Sequence, residues 1–174
     1  MTETEKPKRG GGGKASRTEA VGVRLDPKLK YLAELAARQQ RRTLSSYIEW
    51  AIQDSLARVP LHADRNGETT IADEDRHLWD VDDADRFAKL ALRYPHLLTH
   101  EEQLRWKLIQ ECGYLWRGDR RGKKKEWTWE VKEDSLVFAR LREKWDVFCA
   151  VGRGDAPVSS LPTWEKYEDD DIPF

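Results

Sequence analysis

Residues 20–56, AVGVRLDPKLKYLAELAARQQRRTLSSYIEWAIQDSL, change their hydrophobic period within a few positions, and the fold is read from that change. Val21, Val23 and Leu25 alternate with Ala20, Gly22 and Arg24, the pattern of a half-buried strand. Asp26-Pro27 ends the alternation and opens a helix, because Asp caps a helix N-terminus and Pro fits its first position. Leu29, Leu32, Ala33, Leu35 and Ala36 then form an apolar stripe that predicts a helix to about Gln39. Thr43 is the expected N-cap of a second helix, with Leu44, Ile48, Ala51, Ile52 and Leu56 at helical spacing and Pro60 as its stop. Between the helices stands Gln40-Arg41-Arg42 where glycine is favoured. Either one of these residues turns left-handed or the first helix ends differently.

One strand and two helices cannot close a core alone. The strand has two unpaired edges, and the helical stripes are wider than each helix can cover for the other. Segments this small generally need a partner to be stable. Two copies that pair their strands antiparallel and interlock their helices would supply one. The resulting two-stranded ribbon suits the major groove of DNA.

The alternating strand ending Arg24-Leu25, the Asp26-Pro27 helix start, the Leu32-x-x-Leu35-Ala36 stripe and the Thr43-x-Ser45-x-x-Ile48 entry occur in order. Over residues 17–58 this resembles the ribbon-helix-helix superfamily of Arc- and MetJ-like repressors. The resemblance implies an intertwined β-α-α homodimer on double-stranded DNA, with higher-order assembly on DNA open. It also implies that the outward strand residues Ala20, Gly22 and Arg24 enter the major groove, with Thr18 at the edge and Arg17 in the arm beside it. Arg24 can bond guanine O6 and N7 together. Thr43, Leu44 and Ser45 would hold a phosphate at the second-helix N-terminus. Ala20 and Gly22 bring no hydrogen-bonding side chains, which leaves more of the recognition to DNA shape or to the arm.

Charge agrees with a polyanion met by the front of the chain. The 174 residues carry a net charge of −1, yet residues 1–58 hold 12 Lys and Arg against 7 Asp and Glu, whereas residues 59–174 hold 19 against 25. Residues 1–16, with Gly10–Gly13 and the cations Lys6, Lys8, Arg9 and Lys14, read as a disordered basic arm, either a solubilising tail or a follower of DNA phosphates. No apolar run suggests a membrane span or a secretory signal, so a cytoplasmic protein with no membrane partner is expected. Cys112 and Cys149 stand in apolar patterns outside any CxxC pair and read as buried free thiols.

The ribbon-helix-helix segment is assigned to residues 17–59. Residues 60–76 are polar, with an Asn66-Gly67 turn signal, and read as a linker. A mainly helical, Trp-rich domain is expected over 77–151, followed by an acidic tail over 152–174. The class is therefore mostly α. Within the rear domain, Asp82 or Asp83 caps a helix carrying Phe87, Leu90, Ala91 and Tyr94. Thr99-His100-Glu101-Glu102 is a capping box for a second helix. Arg117–Lys125 reads as a basic loop, Trp127–Val131 as a short strand, and Asp134 or Ser135 as the start of a last helix running to about Val151. Trp79, Trp106, Trp116, Trp127, Trp129, Trp145 and Trp164 lie here, while Trp50, off the main stripe of its helix, is expected at a dimer seam or against the rear domain. Tryptophans beside a basic loop could form a stacking platform for single strands. In an acidic domain, core packing is the plainer reading.

No nucleophile elbow, Gly-rich phosphate loop or HExxH spacing occurs among His62, His77, His96 and His100, so neither catalysis nor a cofactor is expected. Asp73, Asp75 and His77 form a short run of metal-ligand types, as polar segments often do by chance. The expected activity is sequence-specific DNA binding, leading to transcriptional repression. An antitoxin whose rear segment covers a toxin, a plasmid partition or DNA-transfer accessory factor, and an interaction module without DNA share the same front end. The C-terminal domain is then the candidate surface for a protein partner.

Overall fold

The computed structural model describes residues 21–64, 67–121 and 126–164. The arm of residues 1–16, the candidate contacts Arg17, Thr18 and Ala20, Asn66 of the expected turn, Lys123–Lys125 and the acidic end from residue 165 lie outside the described residues. The chain is mostly helical and divides into two compact units, residues 1–51 and 52–174. The division falls within the second helix, upstream of the expected linker.

In the first unit, helix α1 spans Pro27–Gln39, and the Asp26 carboxylate accepts from the amides of Lys28 at 2.9 Å and Leu29 at 3.3 Å. It ends in a Schellman turn. Arg42 N–H donates to Ala37 O and Arg41 N–H to Arg38 O, while Arg41 takes the left-handed φ of 56°. Helix α2 spans Leu44–Leu56, with the Thr43 hydroxyl oxygen accepting from Ser46 N–H at 3.2 Å. Within one chain α1 and α2 scarcely pack on each other. Ala37 is the only buried side chain described in the two helices.

The strand expected over Ala20–Leu25 is not formed in the single chain: residues 21–26 take no regular secondary structure. A strand needs a neighbour to receive its ladder of hydrogen bonds, and none of the described strands lies beside this segment.

The second unit begins with built structure where a linker was expected over 60–76. Strand β1 (Pro60–Asp64) pairs antiparallel with β2 (Gly67–Thr70), Asp64 standing opposite Gly67. Gly67 has φ 136°, open to glycine alone. Asp73 then accepts from the Thr70 amide at 2.9 Å and hydroxyl at 2.7 Å, bonds that hold its carboxyl below the ordinary range, and the short helix α3 (Asp75–Leu78) follows. A polar hairpin has the composition of a loop, because few of its side chains face a core.

Helix α4 (Asp83–Arg93) is capped by Asp82 and buries Ala84, Phe87, Ala88 and Ala91. Helix α5 (His100–Glu111) opens on the Thr99–Glu102 capping box and buries Trp106 and Ile109. The chain then forms a hairpin of β3 (Gly118–Arg121) and β4 (Glu126–Trp129). Gly118–Arg121 of the expected basic loop Arg117–Lys125 is therefore strand, and the second strand ends two residues short of Val131. Gly118 lets the strands close, since a Cβ there would lie 2.3 Å from Thr128 O. The last helix, α6 (Phe138–Arg153), starts later than Asp134 or Ser135. Leu136 and Val137 are buried, and a buried backbone needs partners. Arg117 N–H donates to Ser135 O at 2.7 Å and Val137 N–H to Leu115 O at 2.8 Å before the helix begins.

Helix α6 packs across α4 and α5, and Trp116, Leu115, Ile109, Leu141 and Phe148 fill the core between them. Gly154, at φ 82°, closes α6. The described part of the expected tail returns to the body: Leu161 packs on the core, and the Trp164 ring lies 5.3 Å from that of Trp127.

Candidate nucleic-acid interface

The candidate groove-facing residues that are described, Gly22 and Arg24, are exposed, and nothing lies within 4 Å of where a Gly22 Cβ would stand. The other face of the same segment is exposed as well: Val21 is 82% and Val23 61% accessible. The apolar stripe of α1 is likewise uncovered at Leu29, Leu32 and Leu35. Water contact on this many large apolar side chains is costly, roughly 25 cal/mol for each Å² left unburied.

Thr43, Leu44 and Ser45 form the head of α2. The Thr43 carbonyl accepts from Tyr47 N–H at 2.9 Å and its side chain from Ser46 N–H. The amides of Leu44 and Ser45 therefore lead the helix, where helical geometry provides no acceptor. Ser45 is exposed and Leu44 half-buried. Among the described residues no hydrogen bond or ion pair joins these three to Gly22 or Arg24.

The hydrophobic pattern gives no sign of the arginines of the α1–α2 turn as a group. Arg38, Arg41 and Arg42 are exposed, and among the described residues none of them, nor Arg24, has a carboxylate partner. In the second unit, Arg86, Arg93, Arg105, Arg142 and Arg153 each meet one. Guanidinium groups already bonded to carboxylates have less to offer a phosphate. Arg42 instead lies over the Trp50 ring, 5.6 Å from its centroid, and Trp50 lies 5.6 Å from Tyr47. The i, i+3 spacing of Tyr47 and Trp50 was legible as a helical neighbour pair. The reach of Arg42 back to Trp50 was not.

The tryptophans of the second unit serve mainly as packing. Trp106 and Trp116 are buried, and the indole N–H of Trp116 donates to Ile109 O at 2.8 Å. Trp129 donates to Gln110 O at 3.0 Å. A wide groove of about 1330 Å³ runs past Trp79, Phe87, Arg105 and Trp145, where Arg105 lies over the Phe87 and Trp145 rings at 5.4 and 5.1 Å. Cys112 is buried and Cys149 half-buried, both free, and burial pushes both thiols up. Among the described residues no three His, Cys, Asp or Glu side chains are placed to share a metal, and no helix is long and apolar enough to cross a membrane.

Comparison with known protein families, characterised proteins and solved structures returns no match to this chain.

Proposed function

We propose that the protein is a homodimeric, sequence-specific DNA-binding protein that represses transcription by occupying its site, without catalysis. Two copies pair their 21–25 segments antiparallel, bury Val21, Val23 and the α1 stripe between them, and turn Gly22 and Arg24 outward into the major groove. The observation that carries this reading is that, among its described residues, one unit leaves large apolar side chains exposed and its arginines without carboxylate partners. The apolar set fits a second copy, because an antiparallel strand pair places each face of one segment beside the same face of the other. The unpaired cations fit a polyanion, and a two-stranded ribbon is a shape the major groove admits.

Recovering DNA bound by the full-length protein from a random-sequence pool tests the reading. An enriched motif with two-fold symmetry is expected. On that motif, Arg24→Ala should lose about 1–3 kcal/mol of specific affinity while sedimentation still reports a dimer. Enrichment of no motif, or a folded monomer at micromolar concentration, would refute the proposal.

A further inference from the structure

Trp50 is 36% exposed and stands off the packed side of α2, where Leu44, Ile48, Ala51 and Ser55 are partly covered. Its ring meets that of Tyr47, with centroids 5.6 Å apart and planes tilted by 39°, and the guanidinium of Arg42 lies over it. Arg42 is two residues before the first of the α2 amides, and among the described residues its side chain has no carboxylate and no hydrogen-bond acceptor.

We propose that Trp50 is a positioning residue that holds Arg42 ready for a backbone phosphate of duplex DNA beside the head of α2; this rests on the DNA-binding reading above. The indole attracts the cation through the electron-rich face of its ring and offers it no lone pair. The N–H donors of Arg42 therefore stay available, and a guanidinium presents them as a planar fork that matches two phosphate oxygens. An exposed arginine ordinarily loses much rotamer freedom when it grips a ligand. A side chain already resting on Trp50, itself braced by Tyr47, loses less. Among the described residues, Arg41 and Arg38 on the same turn add positive charge without a comparable aromatic partner, so the effect belongs to Arg42. Sequence readout is not assigned to it, because phosphate contacts fix position and carry no base identity.

The test measures binding of the full-length protein to a fluorescein-labelled, mixed-sequence DNA duplex by anisotropy over a range of NaCl concentrations. Arg42→Gln should weaken binding and flatten log K against log salt by about 0.9 for each phosphate no longer neutralised. Trp50→Leu should weaken binding about two- to fivefold for each protomer and flatten the slope in the same direction, with Trp50→Phe restoring most of both. The double variant Arg42→Gln/Trp50→Leu should bind no worse than Arg42→Gln alone. Multiplying effects, or a Trp50→Leu protein with unchanged affinity and slope, would overturn the assignment. Should Trp50→Leu lose helix or dimer by circular dichroism and sedimentation, the same cycle is run with Trp50→Phe. A smaller loss that vanishes in the Arg42→Gln background supports the role, and an equal loss in both backgrounds removes it. Wild-type protein that fails to bind the duplex even at low salt sinks the DNA reading itself, whereas wild-type binding with unaffected variants sinks only the role of Trp50.

Discussion

Asp85 shows how far apart two neighbouring carboxylates can stand. It is 5% exposed, and Arg142 of α6 grips it from across the helix pair, Nε donating to Oδ1 at 2.8 Å while the second guanidinium nitrogen meets Oδ2. Two residues earlier, Asp83 meets Arg86 on an open surface. The bonds to Asp85 tie α4 to α6 around a buried carboxylate, although the Arg142 side chain is itself half-exposed. Asp85→Asn should therefore cost about 1.5–3 kcal/mol of stability, the range for hydrogen bonds to charged groups. Asp83→Asn should change it by no more than about 0.5 kcal/mol, as exposed pairs do. Urea unfolding of the two variants side by side checks this, and equal costs would contradict it. Nothing in the run Asp82-Asp83-Ala84-Asp85 distinguishes the buried acid, since its partner arrives from 57 residues further on.

Among elements, the α1–α2 turn carries the clearest strain. Arg41 holds a left-handed φ of 56°, a conformation that costs a residue with a Cβ about 1–2 kcal/mol relative to its ordinary helical one. Glycine would hold the same Schellman turn without that cost. Arg41→Gly should raise thermal stability of a fragment covering residues 15–60 by about 0.5–1 kcal/mol per chain, after the entropy glycine adds to the unfolded chain is subtracted. In the full-length protein it should also flatten the salt dependence of DNA binding, because a cation leaves the turn. A gain in stability with no change in salt dependence would show that the charge of Arg41 serves no DNA contact. The sequence pointed to this turn as the place where glycine was missing. Which of Gln40, Arg41 and Arg42 would turn left-handed depended on where α1 released its last carbonyl.

At the scale of the whole molecule, the two units divide their charge. Residues beyond 58 carry 19 Lys and Arg against 25 Asp and Glu, and Arg86, Arg93, Arg105, Arg142 and Arg153 there are held by carboxylates. An acidic unit with its cations engaged repels a polyanion beyond about 10 Å only weakly at moderate salt, but it adds no attraction. A protein ending at Arg58 should accordingly bind a selected DNA site within a few-fold of full-length affinity. A drop of orders of magnitude, reproduced by neutralising Arg117, Arg120, Arg121, Lys123, Lys124 and Lys125 in the full chain, would make the second unit a DNA contact instead.

What the sequence determined by itself was local. Asp26-Pro27, Thr43 and Thr99 place three helix starts, and Asp82-Asp83 a fourth to within one residue, because a cap satisfies amides within the same turn, using atoms only a few residues away. Helical stripes such as Phe87 and Ala91 were legible for the same reason of short range. Tertiary structure alone decided the rest. It paired β1 with β2 and β3 with β4, extended Leu136-Val137 against Leu115 and Trp116, and drew Leu161 back to the core. The extended Leu136-Val137 and the returning Leu161 depend on partners distant in the chain, whereas the strand pairs join near neighbours whose polar composition hid them. The Val21–Leu25 segment lies beyond both: its alternation predicts a strand that the single chain does not form, because a strand's hydrogen bonds need a second edge and the described part of one chain supplies none.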